Sequence, residues 1–238
     1  RSNPIINDVT IKSNLADIGG GILLFYSDPT FINSTISENL ANTTAGGMVL
    51  FYSEPTLINT LILENTTNGD NGAGGGMNLF YSNPTLLNTT ISGNYAAFGG
   101  GGIYLIYSSP QLDHCTISEN IAEGGGGMYL IGSNPTLTNV EINSNETTVG
   151  GGGLWLSDSN PTFINVTISG NTAVYGDGVL IYYSDPIIIN SIIWGNKMYD
   201  IEDIFIWYSG TPIIIYSNID GGWEGEGNID ADPLFTNP

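Results

Sequence analysis

The chain has 238 residues, of which 41% are hydrophobic and 11% charged; 23 acidic residues against three basic ones give a formal net charge of −20. With so little Lys and Arg to displace the counterions of a phosphate backbone, nucleic acid is a very poor candidate partner, and an anionic membrane surface is disfavoured for the same reason. Cys115 is the only cysteine, so no internal disulfide can form, and no apolar run reaches the ~18 residues of a membrane span.

Prolines set a rhythm. Pro4, Pro29, Pro55, Pro84, Pro110, Pro135, Pro161, Pro186 and Pro212 follow one another at intervals of 25, 26, 29, 26, 25, 26, 25 and 26 residues. A period near 26, punctuated by Gly, Asn and Pro and without helical periodicity, predicts a β-solenoid in which each repeat is one coil. Successive coils then stack at about 4.8 Å.

Within a coil the first expected strand follows the proline. Its core position, two residues on, is Ile6, Phe31, Leu57, Leu86, Leu112, Leu137, Phe163, Ile188 and Ile214. The second strand carries an unbroken isoleucine column seven residues after Pro: Ile11, Ile36, Ile62, Ile91, Ile117, Ile142, Ile168, Ile193 and Ile219. Thr and Ser next to these positions give the alternation of a strand buried on one face. Ten residues after Pro stand Asn14, Asn39, Asn65, Asn94, Asn120, Asn145, Asn171 and Asn196. Asn tolerates the left-handed conformation of a sharp turn, and stacked amides can hydrogen-bond along the axis. A second polar column holds Asn33, Asn59, Asn88, Asn139, Asn165 and Asn190, with His114 in the matching place. Glycine runs (Gly19 to Gly21, Gly74 to Gly76, Gly125 to Gly127, Gly151 to Gly153) then permit a bend. The third strand, before the next proline, has Leu24, Leu50, Leu79, Leu105, Leu130, Leu156, Ile181 and Ile206 as its core column. Three inward columns predict three parallel sheets.

The phrases "GGGI" at Gly19 and Gly100, "GGGM" at Gly74 and Gly125, "ISEN" at Ile36 and Ile117, and "ISGN" at Ile91 and Ile168 resemble the repeats of polymorphic outer-membrane and surface proteins, with Ile in place of Phe. The chain as a whole resembles the right-handed parallel β-helices of the pectate-lyase-like superfamily, and "NIDADPLF" (Asn228 to Phe235) is similar to the tail of many bacterial extracellular β-helix proteins. The resemblance implies an all-β, right-handed parallel β-helix of about nine coils over residues 1–219. Residues 220–238 form a tail able to fold over one end. It also implies an extracellular or cell-surface location. It does not fix an activity, because one scaffold hosts many.

Arg1 enters the repeat midway and no signal peptide is visible, so the chain reads as a mature or excised piece. Its first coil is expected to be open to more chain or to another subunit. Asn-x-Ser/Thr sequons begin at Asn33, Asn42, Asn65, Asn88, Asn145 and Asn165, and have meaning only where the source glycosylates.

Chemistry is sparse. Lyases of the resembled superfamily need Arg or Lys beside Ca²⁺-binding carboxylates, whereas Arg1 is terminal and Lys12 and Lys197 sit in no acidic cluster. Glu202 with Asp203 is the tightest acidic pair late in the array and reads as a solvated loop. No catalytic residue is assigned, and the chain is not expected to be an enzyme. No cofactor is expected either: Asp70, in the one lengthened coil, and Asp230 with Asp232 could offer oxygens to Ca²⁺, but the repeat pattern of calcium-binding solenoids is absent. Cys115 falls in a column of small residues and reads as a buried structural thiol. Thr10, Thr35, Thr90, Thr116 and Thr167 line up as on ice-binding faces, but Leu61, Glu141 and Ile192 interrupt them.

The outward positions of the third strand are where a contact surface is expected. Phe25, Phe51, Phe80, Tyr104, Tyr129, Trp155, Tyr182, Phe205 and Trp207 lie there, where a water-facing sheet would be polar. Eight coils about 12 Å wide give a stripe of roughly 450 Å², within the range at which apolar patches usually have partners, and no loop is long enough to cover most of it. The expectation is a structural or adhesive protein that binds protein through this stripe, foremost another copy, as in a fibre or surface layer. Carbohydrate binding or degradation is the alternative.

Overall fold

The computed structural model describes residues 3–196 and 202–235. Four parallel sheets build the molecule, three along its length and one over its first six coils, and in each of them strands pair with the same segment of the next coil. The first sheet has nine strands, from Ile5–Asn7 to Ile213–Ile215, and the second has nine, from Thr10–Lys12 to Asn218–Ile219. A six-stranded third sheet runs from Leu15–Ile18 to Glu146–Gly150, and an eight-stranded fourth from Ile22–Phe25 to Ile204–Trp207. The expected three sheets are thus the first, second and fourth. The additional one lies between the asparagine column and the glycine bend. Its inward side chains are small (Ala41, Thr67, Ala96, Ala122, Thr147) and all are buried, so it carries no apolar column of the kind that marks the others.

Register is kept through whole columns. Ile62 pairs with Ile36 and Ile91, and Leu79 with Leu50 and Leu105. The isoleucine column is buried from Ile36 to Ile219, and Ile11 packs partly buried against it in the first coil. Phe31, Leu57, Leu86 and their successors meet it from the first sheet, and Leu50, Leu79 and Leu105 from the fourth. The fourth sheet supplies a second inward column as well: Met48, Met77, Ile103, Met128, Leu154, Val179 and Ile204.

Each corner repeats a residue in the left-handed region. Between the second and third sheets these are Ser13, Glu38, Glu64, Gly93, Glu119, Ser144, Gly170 and Gly195, with φ from 52° to 70°. The asparagine column expected to do this follows one residue later and has another task. Asn94 Nδ2 donates to Asn120 Oδ1 at 2.9 Å, and Asn120 Nδ2 to Asn145 Oδ1 at 2.9 Å. Each Oδ1 also accepts the preceding asparagine's backbone N–H, as Asn120 does from Asn94 at 3.0 Å. The amides all point the same way, and the last, Asn196, donates to the carboxylate of Asp203 at 3.1 Å. A carboxylate only accepts, so it is a natural end for a file of donors. Asn65 and Asn145 are therefore buried rungs, which removes them as glycan acceptors in the folded chain.

At the glycine bend the backbone is too close for a side chain. A Cβ on Gly75 would stand 2.5 Å from Tyr95 O and Gly101 O, and one on Gly46 would stand 2.4 Å from Thr66 N. The lengthened coil takes up its extra residues just before this bend, in a turn closed by Gly72 N–H donating to Gly69 O. At the far end, Trp223 packs against the core and Ile229 bridges to Asn218, so the tail covers the last coil.

Candidate functional site

The outer surface of the fourth sheet divides into three files. The first, nearest the glycine bend, runs Leu23, Val49, Asn78, Tyr104, Tyr129, Trp155, Leu180 and Phe205. The bend itself covers much of it. Val49, Asn78 and Leu180 are buried and Tyr104 is 7% exposed. Phe98 packs edge-on to Tyr104 at 6.3 Å and lies stacked on Tyr129 at 6.2 Å, and Tyr175 meets Phe205 at 5.5 Å. A short bend with an aromatic side chain thus shields what no long loop does, and the exposed stripe is narrower than its sequence implies. Burial pushes the Tyr104 hydroxyl up to about 12 and raises that of Tyr129.

The second file runs Phe25, Phe51, Phe80, Ile106, Ile131, Ser157, Tyr182 and Trp207; Phe25 and Trp207 at its ends are exposed and the six between them are half-buried. Phe25, in the first coil, is 62% exposed, and Phe51 and Phe80 stack at 5.3 Å. Trp207 leans across to Trp155, with ring centroids 6.1 Å apart.

A third file was not singled out from the sequence. It forms the corner between the fourth and first sheets: Tyr26, Tyr52, Tyr81, Tyr107, Gly132, Asp158, Tyr183 and Tyr208. All eight have φ between 46° and 76°, a region in which a bulky residue is strained. Ring stacking offsets that strain. Tyr26, Tyr52, Tyr81 and Tyr107 follow one another at 5.0, 5.3 and 5.2 Å with interplanar angles of 8°, 3° and 22°. Beneath them runs a buried serine file, in which Ser53 N–H donates to Ser82 Oγ and Ser82 N–H to Ser108 Oγ, each at 3.0 Å. The visible signal was "YS" recurring shortly before six of the nine repeat prolines, at Tyr26, Tyr52, Tyr81, Tyr107, Tyr183 and Tyr208.

Because the tyrosine rings lie face to face, their faces cover one another and their edges and hydroxyls meet the solvent. Sugar rings stack on open aromatic faces, and in this ladder those faces are covered by neighbouring rings.

The other candidates are dispersed. Cys115 is buried, and its thiol is pushed up to about 11. His114 Nδ1 lies 2.8 Å from Asp113. Glu202 is exposed while Asp203 is buried at the end of the amide file. Asp70, Asp230 and Asp232 are exposed, and among the described residues no three His, Cys, Asp or Glu gather to hold a metal. Lys12 is paired with Glu38 at 2.7 Å, and Arg1 and Lys197 lie outside the described residues. The threonine file of the second sheet is interrupted by Leu61, Glu141 and Ile192 as expected. Over that sheet the tail leaves a cleft of about 710 Å³ lined by Glu141, Trp194, Asp232 and Phe235.

Four parallel sheets wound into one solenoid define a parallel β-helix repeat protein. The chain matches the family described as a right-handed beta helix region over residues 1–120 and 88–220, and it belongs to that family. The search of curated proteins returned no match. Among solved structures, it is similar to QnrB1, a plasmid-mediated fluoroquinolone resistance protein, with 11% identity and a TM-score of 0.28 over 87% of this chain and 92% of that one. HetL, a pentapeptide repeat protein involved in heterocyst differentiation regulation from the cyanobacterium Nostoc sp. strain PCC 7120, has 11% identity and a TM-score of 0.24 over 83% and 85%. At these scores neither likeness bears on function.

Proposed function

We propose that the protein is an extracellular structural or adhesive β-solenoid that binds protein through the aromatic surface of its fourth sheet. The supporting observation is the pair of adjoining files from Phe25 and Tyr26 to Trp207 and Tyr208, the first half-buried between exposed ends and the second with its tyrosines exposed. Stacking accounts for the conformation of the six tyrosines but leaves their ring edges and hydroxyls uncovered, and an aromatic surface of this length is of the kind that usually has a partner. Self-association is one form of this reading, because a second solenoid presents side chains at the same interval of about 4.8 Å; another protein is the second form. Light scattering on the purified chain, compared with the double variant Phe51→Ser and Phe80→Ser, tests it. The variant should fall to monomer mass with an unchanged circular dichroism spectrum. Equal masses for both proteins would remove self-association through this surface.

A further inference from the structure

We propose that the break in the tyrosine ladder at Asp158 seats a cationic side chain, and that the partner of the aromatic surface presents an arginine-rich segment to it. This rests on reading that surface as protein-binding and adds the chemistry of what binds.

The ladder is continuous from Tyr26 to Tyr107 and resumes at Tyr183 and Tyr208. Between them the corner positions are Gly132 and Asp158. Gly132 leaves room for its neighbour: a Cβ there would stand 2.7 Å from the Tyr107 ring. Asp158 is then the open rung. It is exposed, with φ 49° like the tyrosines, and the Ser157 hydroxyl donates to it at 3.3 Å. Tyr183 has Tyr208 stacked on one side at 6.0 Å and 14°, and a carboxylate rung on the other. Tyr182 stands edge-on to Tyr183 at 4.6 Å and walls the gap. Its hydroxyl is raised by burial first, then by Tyr183, Tyr208 and Asp158, so it stays protonated and able to donate.

A guanidinium suits this gap better than any other common side chain. It is flat enough to lie on an aromatic face while pairing with a carboxylate. Charge points the same way. Asp28, Glu54 and Asp185 border the surface, and among the described residues the ion pairs are Lys12–Glu38 and His114–Asp113, both at other corners. The negative field over the rings is thus left for the partner to neutralise. A second copy, itself at −20 with three basic residues, supplies little of that.

Fluorescence anisotropy with a short labelled peptide alternating Arg and Ser, and with its citrulline counterpart, tests the proposal. The full chain should bind the arginine peptide about tenfold more tightly than the citrulline one, with the difference shrinking in high salt. Asp158→Asn keeps a residue that tolerates the left-handed corner and should weaken binding about three- to tenfold. Glu64→Gln removes the same charge from the corner between the second and third sheets, and should change nothing. Equal losses from the two variants would mean diffuse attraction and overturn the proposal. No peptide binding by a chain whose self-association is abolished by the Phe51 and Phe80 changes would overturn it and leave the protein-binding reading standing. Peptide binding untouched by Asp158→Asn and by the Phe51 and Phe80 changes would sink both.

Discussion

The side chain of Asn120 satisfies four groups at once. Its Oδ1 accepts both the N–H and the Nδ2 of Asn94, while its Nδ2 donates to Asn145 Oδ1 and to Ile91 O. It is fully buried. Asn120→Ala takes the acceptor from the Asn94 N–H and one partner each from Asn94 Nδ2, Asn145 Oδ1 and Ile91 O, although Asn94 Nδ2 keeps Ile62 O and Ser92 O and Asn145 Oδ1 keeps the backbone N–H of residue 120. With an unsatisfied buried group costing about 1–3 kcal/mol, stability should drop by about 2–3 kcal/mol in urea unfolding; a loss under ~1 kcal/mol would mean that water replaces the amide. The column itself was plain from sequence, since eight asparagines at one coil position announce a shared task. Which residue turns the corner was not plain. Ser13, Glu38, Glu64 and Glu119 are no family of turn formers, and they adopt positive φ because the buried rungs after them are fixed. Tyr26 and its ladder are harder still: propensity argues against tyrosine in that conformation, and only stacking between coils explains it.

Elements differ in how much room they leave. At the glycine bend the third sheet of one coil presses on the loop of the next, so Gly101→Ala would force a methyl to within 2.6 Å of Gly126 O and Ile121 O. That backbone cannot move aside without disturbing the file, and a loss of about 2–3 kcal/mol is expected. Gly195, at φ 70°, has no atom of the described residues within 4 Å of its Cβ position, so Gly195→Ala should cost only the ~1–2 kcal/mol of a left-handed alanine. Paired chemical denaturation curves decide this, and equal losses would refute the crowding. The third sheet escaped the sequence reading for a related reason. Its inward positions are alanine and threonine, because the bend folds back too tightly for larger side chains, and small residues carry no hydrophobic signature. The same tight return hides Val49 and Leu180, which alternation alone placed in solvent.

Across the whole molecule, charge is the unbalanced quantity. A net −20 on a core held by short-range packing means that distant carboxylates repel through the solvent. Screening should relieve this, so the melting temperature should rise between low and moderate sodium chloride. A flat or falling melting temperature would show that the negative charges are too far apart to matter. Fold class, coil length and the core columns were all legible at this scale, since a column nine residues deep overrides any single ambiguous position. The contact surface was legible only in outline, because its shape depends on which file each bend shields.

The unbroken asparagine file also limits how such a molecule can lengthen over its history. A segment inserted anywhere along that file must bring its own amide at the right interval, so growth and loss come in entire turns of the spiral. The three additional residues of the coil between Asn65 and Asn94 sit in the turn before the glycine bend, outside every file. That is the one kind of place where a partial change in length leaves the rungs above and below it still joined.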